Sequence, residues 1–210
     1  MKQSKTLRRW ELALLLGVAL AALLGVWLDG AQAALSDRVI RLHVLANSDS
    51  EADQALKLRV RDRILAEAEE LFVPGAGRAE TEELLRAHLY DLAAAGAEVV
   101  GEAGYSYPVT ASLVHDYWFP TKTYTDFALP AGAYTALRIE IGAGGGQNWW
   151  CVVFPPLCLG SVSETTQETA LEAGLTENQV SLMTGEDEGY VVKFKAVELL
   201  EQFKGWLEGR

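Results

Sequence analysis

The residues best equipped for chemistry in this 210-residue chain are two cysteines and three histidines. Cys151 and Cys158 both fall in the stretch Asn148–Cys158, NWWCVVFPPLC, together with two of the six tryptophans and two of the six prolines. A thiolate beside an imidazole makes an acyl-transfer nucleophile, and His43 or His115 could serve as its base. No local signature of such a pair accompanies either thiol, and apolar neighbours favour the unreactive neutral form. His43, His88 and His115 lie among apolar residues with no H-x-x-x-H or C-x-x-C spacing, so they are expected to be core or rim histidines and not zinc ligands. G-x-S-x-G and H-E-x-x-H are also missing. The sequence therefore offers no catalytic centre, no metal site and no cofactor site.

Two further patterns dissolve on inspection. Gly142-Ala143-Gly144-Gly145-Gly146 lacks the third glycine of a dinucleotide fingerprint, because position 147 is Gln, and no Lys-Ser or Lys-Thr follows. Asn47, Asp49, Glu51 and Asp53 alternate like calcium ligands, but Ala52 stands at the obligatory glycine and Leu58 at the bidentate glutamate. The first pattern is expected to be a turn and the second a helix cap.

In one straight strand Cys151 and Cys158 would lie roughly 23 Å apart. A disulfide needs their Cα atoms within about 7 Å. Joining them requires the chain to reverse, and Pro155-Pro156 is the place for it; the closed loop would contribute on the order of 2.5 kcal/mol. The alternative is a pair of buried thiols acting as small hydrophobes. The residues leave both open. Trp149 and Trp150 must alternate across their strand, one inward and one outward, where an outward Trp is either a partner anchor or an ordinary surface aromatic.

The elements that carry these residues follow from periodicity. Residues 38–46 (RVIRLHVLA) predict a short strand. Ser48 and Glu51 have capping-box spacing, and a helix is expected over 49–72 with Ala52, Leu56, Val60 and Ile64 buried and Asp53 paired to Lys57 on the exposed side. Residues 74–77 (PGAG) stop it. A second helix is expected from Thr81 to Gly96, with Leu84, Leu85, His88, Leu89 and Leu92 inward. Residues 105–117 alternate as a half-buried strand, with Pro108 at its edge or before pairing begins. Residues 135–141 and 149–154 alternate similarly around the glycine loop, which predicts a β-hairpin. Residues 161–169 are expected to be loop and 175–183 a short helix, followed by a strand over 190–195 and a helix over 196–207. The sum is an α+β fold, an antiparallel sheet with amphipathic helices packed on it.

The N-terminus has a separate purpose. Lys2, Lys5, Arg8 and Arg9 precede Leu12–Leu28, which carries no charge, and Ala31-Gln32-Ala33 closes the segment. This is the pattern of a secretory signal, with cleavage expected after Ala33; an uncleaved signal anchor is the other reading. Residues 34–210 then form one extracytoplasmic domain, and the membrane is touched only through residues 12–28 if they remain. Removing residues 1–33 takes four basic and two acidic residues from the formal net charge of -11 and leaves about -13. Nucleic acid and anionic membrane surface are poor partners for such a body.

Five stretches carry a specific resemblance: RLHVLANSDSEADQALKLRVRD (Arg41 to Asp62), YSYPVT (Tyr105 to Thr110), FPTKTY (Phe119 to Tyr124), LPAGAYTALRIEIG (Leu129 to Gly142) and NWWCVVFPPLC. Together, in this order through most of residues 38–160, they resemble the stage II sporulation protein R family of endospore-forming bacteria. Residues 161–210 match less distinctly. The resemblance implies a signal and not an enzyme: a protein made in the forespore and exported to the space between forespore and mother cell. There it would activate a membrane-embedded aspartic protease of the mother cell, which cleaves pro-sigma-E. On that basis the expected partner contacts are Trp149, Trp150, Phe119, Lys122 and Tyr124. The rival classes are an exported thiol-dependent or cell-wall hydrolase and a Trp-lined carbohydrate-binding module, neither with a motif in its favour.

Overall fold

The computed structural model describes residues 9–73, 75–157 and 166–184. In chain order its elements are α1 (Arg9–Ser36), β1 (Ile40–Leu45), α2 (Glu51–Glu70), α3 (Arg78–Ala87), α4 (Leu89–Glu102), β2 (Val109–Phe119), β3 (Lys122–Thr123), β4 (Ala128–Leu129), β5 (Gly132–Ile141), β6 (Asn148–Phe154), α5 (Thr166–Glu172) and α6 (Glu177–Thr184). Helices and a mostly antiparallel sheet build one globular body. The expected strand over 190–195, the expected helix over 196–207 and Cys158 lie outside the described residues.

The sheet runs β2-β5-β1-β6, and this order overturns the expected hairpin. β5 and β6 are not neighbours, because β1 lies between them, parallel to β5 and antiparallel to β6. The sheet is therefore mixed and not purely antiparallel. The glycine loop arches over the end of β1 instead of turning back on its own strand. Gly145 N–H donates to the Asn47 carbonyl at 3.3 Å and Gly146 N–H to the Ala46 carbonyl at 2.9 Å, while Ala143 N–H donates to Asn47 Oδ1 at 3.0 Å. At Gly146 a Cβ would sit 2.2 Å from the Ser48 carbonyl oxygen, so only glycine fits this crossing.

One face of the sheet carries Ile40, Leu42, Val44, Leu137, Ile139, Ile141, Cys151 and Val153, and α2, α3 and α4 pack over it. In α2 the buried stripe is Asp53, Leu56, Lys57, Val60, Ile64, Leu65 and Ala68; Ala52 is exposed. Asp53 and Lys57 are thus buried and not an exposed pair. Each has a polar task in the crossing: Asp53 accepts from Asn47 Nδ2 and Ser48 Oγ, and Lys57 Nζ donates to the Gln147 carbonyl at 2.9 Å. The capping residue is Ser50, which accepts from the Asp53 N–H at 3.2 Å; Ser48 serves the Asp53 carboxylate instead. The expected single helix over 81–96 is two helices that meet at His88, whose Nδ1 lies 2.9 Å from the Leu84 carbonyl oxygen. Of its expected inward residues Leu85 and Leu92 are buried, while Leu84, His88 and Leu89 are half-buried. Gly96 does not end α4 but lets it approach the sheet, with Val109 and Val60 methyls 3.0 and 3.3 Å from where its Cβ would be.

β2 begins at Val109, just after Pro108, because the Pro nitrogen cannot donate to the ladder. The register with β5 slips between Val114 and Tyr117, so His115 and Asp116 together oppose Thr135, and Asp116 takes φ 54°. Such a bulge re-aims the strand. His115 reaches Glu82 Oε1 at 3.3 Å and Thr135 Oγ1 at 3.2 Å, and Glu82 also pairs with Arg78 and Arg86. This hub pins α3 to the sheet edge. Residues 166–169, expected to be loop, open α5.

The opposite face holds Val39, Phe119, Phe127, Leu129, Tyr134, Ala136 and Val152. It is covered by residues of α5 and α6 and by the last turn of α1, where Leu35 is fully buried. Further up α1, Leu12, Leu14, Leu15, Leu16, Val18 and Leu20 are exposed. Ala33, after which cleavage is expected, is therefore helical, and the Ala34 carbonyl accepts from Gln179 Nε2 at 3.0 Å.

Candidate functional site

Alternation along β1 sends Ile40, Leu42 and Val44 to the helix-covered face and Arg41 and His43 to the other. In a strand with one wet face, Arg and His would meet water. β1 is central and this second face is also covered, so both side chains are fully buried. The Arg41 guanidinium carbon lies 4.1 Å from the Phe119 ring centroid and 5.0 Å from that of Tyr134. Its Nη2 donates to Tyr124 Oη at 3.2 Å, and that hydroxyl donates to the Trp150 carbonyl at 3.2 Å. His43 lies 5.0 Å from Tyr117, 6.0 Å from Phe119 and 6.3 Å from Trp150 between ring centroids, with Nε2 2.8 Å from Asn148 Oδ1.

Charge and hydrogen bonding are incomplete here. Arg41 Nε and Nη1, His43 Nδ1, Arg138 Nε and Trp150 Nε1 have no hydrogen-bond partner, five of the six such buried nitrogens among the described residues. All five belong to this face. Burial lowers the His43 pKa, opposed by its hydrogen bond to Asn148, so the ring is neutral near pH 7. Burial raises Tyr124, with Arg41 pulling the other way, and burial pushes Tyr134 far above the ordinary phenol range. Both phenols therefore stay neutral, and neither cancels the arginine. Among the described residues no carboxylate forms an ion pair with Arg41.

The sequence-expected contacts separate on this framework. Phe119 and Tyr124 contact Arg41 directly, and Trp150 joins them through its carbonyl, bonded to Tyr124, and its ring, beside Phe119 and His43. Phe119 is fully buried and Trp150 half-buried, so neither is a free surface anchor. Lys122 is exposed on β3. Trp149 points to the helix-covered face, where the Arg61 guanidinium sits 4.3 Å over its ring and it keeps 36% exposure. The Trp pair therefore serves two faces, and only Trp150 joins the cluster. Cys151 is buried and disulfide-bonded, and the Phe154–Pro155 peptide bond after it is cis. Cys158 is the chain's other cysteine. Arg41 was not named from the sequence, while His43, expected to be a core or rim histidine, is indeed buried; the signal for the pair is a cation and an imidazole two residues apart in an otherwise apolar strand. Among the described residues no group of three or more His, Cys, Asp or Glu side chains is placed to hold a metal ion.

Residues 36–164, which contain every element of this cluster, match the family model described as stage II sporulation protein R. The chain belongs to the stage II sporulation protein R family. It is 38% identical over 124 residues to the stage II sporulation protein R of Bacillus subtilis (strain 168), across 59% of this chain and 55% of that protein. The chain thus spans about half the length of the curated relative it matches. No solved structure matches it. Membership of the stage II sporulation protein R family gives the chain a role in sporulation.

Proposed function

We propose that this chain is an intercompartmental signal of sporulation, exported from the forespore, that activates a membrane-embedded aspartic protease of the mother cell and so triggers cleavage of pro-sigma-E. The observation that carries the proposal is the family match over residues 36–164, which encloses the buried arginine cluster. Export is supported by the basic head and the exposed apolar length of α1. The chain is not itself the protease. A thiol-dependent hydrolase is disfavoured because Cys151 is held in a disulfide, and only a thiolate is a nucleophile. Activation means that the signal binds the active conformation of its partner more tightly than the inactive one.

The test is reconstitution. Full-length chain, the protease and pro-sigma-E are produced together in cells that do not sporulate, with the chain carrying its export segment. Cleaved sigma factor is expected only when all three are present. Cleavage without this chain, or none with it, sinks the proposal.

A further inference from the structure

We infer that Arg41 is the receptor for a single carboxylate of a protein partner, admitted when the turn carrying Tyr124 lifts from it; this deepens the activator reading and rests on it. A guanidinium stays charged inside a protein. Burying one without an anion is costly, and stacking on aromatic faces offsets only part of that cost. Phe119 and Tyr134 supply such faces, yet Nε and Nη1 remain unpaired and both phenols are neutral. The arrangement is complementary to an anion that the described residues do not provide.

The anion's chemistry follows from the surroundings. One positive charge in an apolar enclosure neutralises one negative charge, whereas a phosphate dianion would leave a buried excess. The strongly acidic body also repels polyanions. A carboxylate satisfies both conditions, and guanidinium and carboxylate match in hydrogen-bond geometry.

The Tyr124 turn between β3 and β4 is the way in. β3 and β4 pair through only Lys122–Leu129 and Thr123–Ala128, and Tyr124 N–H donates to the Phe127 carbonyl at 2.8 Å to close the turn. Tyr124, stacked on Phe127 at 4.5 Å, spans from Arg41 to the Trp150 carbonyl through its single hydroxyl. Phe127, Ala128 and Leu129 are buried in the core and stay in place, whereas Lys122, Thr123, Thr125 and Asp126 are exposed, so the piece free to move is the short turn that carries Tyr124. Lifting it breaks both hydroxyl contacts and frees Nη2 alongside the two unpaired nitrogens, so an incoming carboxylate replaces a neutral phenol as acceptor.

The experiment uses the full chain in detergent micelles with ¹⁵N-labelled arginine, and acetate as the probe at constant ionic strength balanced by chloride. The Arg41 Nε–H resonance is identified by its loss in Arg41→Lys. It is expected to shift saturably with acetate and not with chloride. Tyr124→Phe, which keeps the ring and deletes the hydroxyl, is expected to tighten acetate binding about five-fold, since one closed-state hydrogen-bond bridge is gone. No acetate response in either protein overturns the site, as does a response to inorganic phosphate equal to or stronger than that to acetate. In the reconstituted system, Arg41→Lys is expected to reduce processing at least ten-fold while the chain remains folded and exported. Normal processing by Arg41→Lys overturns the partner role of Arg41 and leaves the activator reading standing. Failure of the unaltered chain to support processing removes the activator reading, while the acetate response still decides the site.

Discussion

Arg41 is a residue whose position makes sense only if something other than stability retains it. Replacing a buried charge with an apolar side chain of similar length is often neutral or stabilising. Arg41→Met is therefore expected to leave the unfolding free energy unchanged or raised by up to ~2 kcal/mol in urea titrations, while sigma-factor processing is lost. A large drop in stability instead would mark Arg41 as structural. His43 supplies a pH signature. Its folded pKa is depressed by burial below 6.5, so the unfolded chain binds the proton more readily. That contribution to stability is complete above pH 6.5 and is lost as pH falls toward and through the folded value. The thermal midpoint of the unaltered chain is expected to drop between pH 6.5 and 5 more steeply than that of His43→Gln; parallel curves would show that His43 is not the group responsible.

At the scale of elements, the decisive feature is the crossing of the 142–147 loop over the end of β1. It brings β5 and β6 to either side of β1 and buries Arg41 and His43. Gly146→Ala forces a methyl into the Ser48 carbonyl and is expected to cost about 2 kcal/mol. Gly101→Ala, in α4 with nothing within 4 Å of the new Cβ, is expected to stabilise by ~0.5–1 kcal/mol. Equal effects of the two in denaturant titration would show that the crossing is not tight. The same crossing explains the misplaced polar pair of α2. Asp53 and Lys57 have helical i,i+4 spacing, yet they are buried because they receive the chain ends on either side of the crossing.

At the scale of the molecule, α1 joins two environments. Its apolar residues from Leu12 to Leu20 are exposed, and its last turn belongs to the core through Leu35. Cleavage after Ala33 keeps Leu35 with the body, and a start at Asp37 removes it. The body beginning at Asp37 is expected to be about 2 kcal/mol less stable than the body beginning at Ala34, the value of one buried leucine. Matching midpoints for the two would place the α1 turn outside the cooperative core.

By itself the sequence determined the kind of most elements and the family, because these depend on local signals. The period-two stretches at 105–117 and 135–141 correspond to strands over 109–119 and 132–141, the stripe Leu56, Val60, Ile64 became the buried face of a helix, and Pro108 lay just before its strand. Of the five residues expected as partner contacts, Phe119, Tyr124 and Trp150 lie together in the structure while Trp149 and Lys122 lie apart, and what the three surround was not named. Only the tertiary structure decided that, because burial of Arg41 and His43 depends on which strands flank β1 and on a second layer covering its far face. A glycine loop of this length is compatible locally with a hairpin or with a crossing. Long-range pairing chose the crossing, and with it left a buried charge, which no carboxylate among the described residues pairs, beside a neutral imidazole.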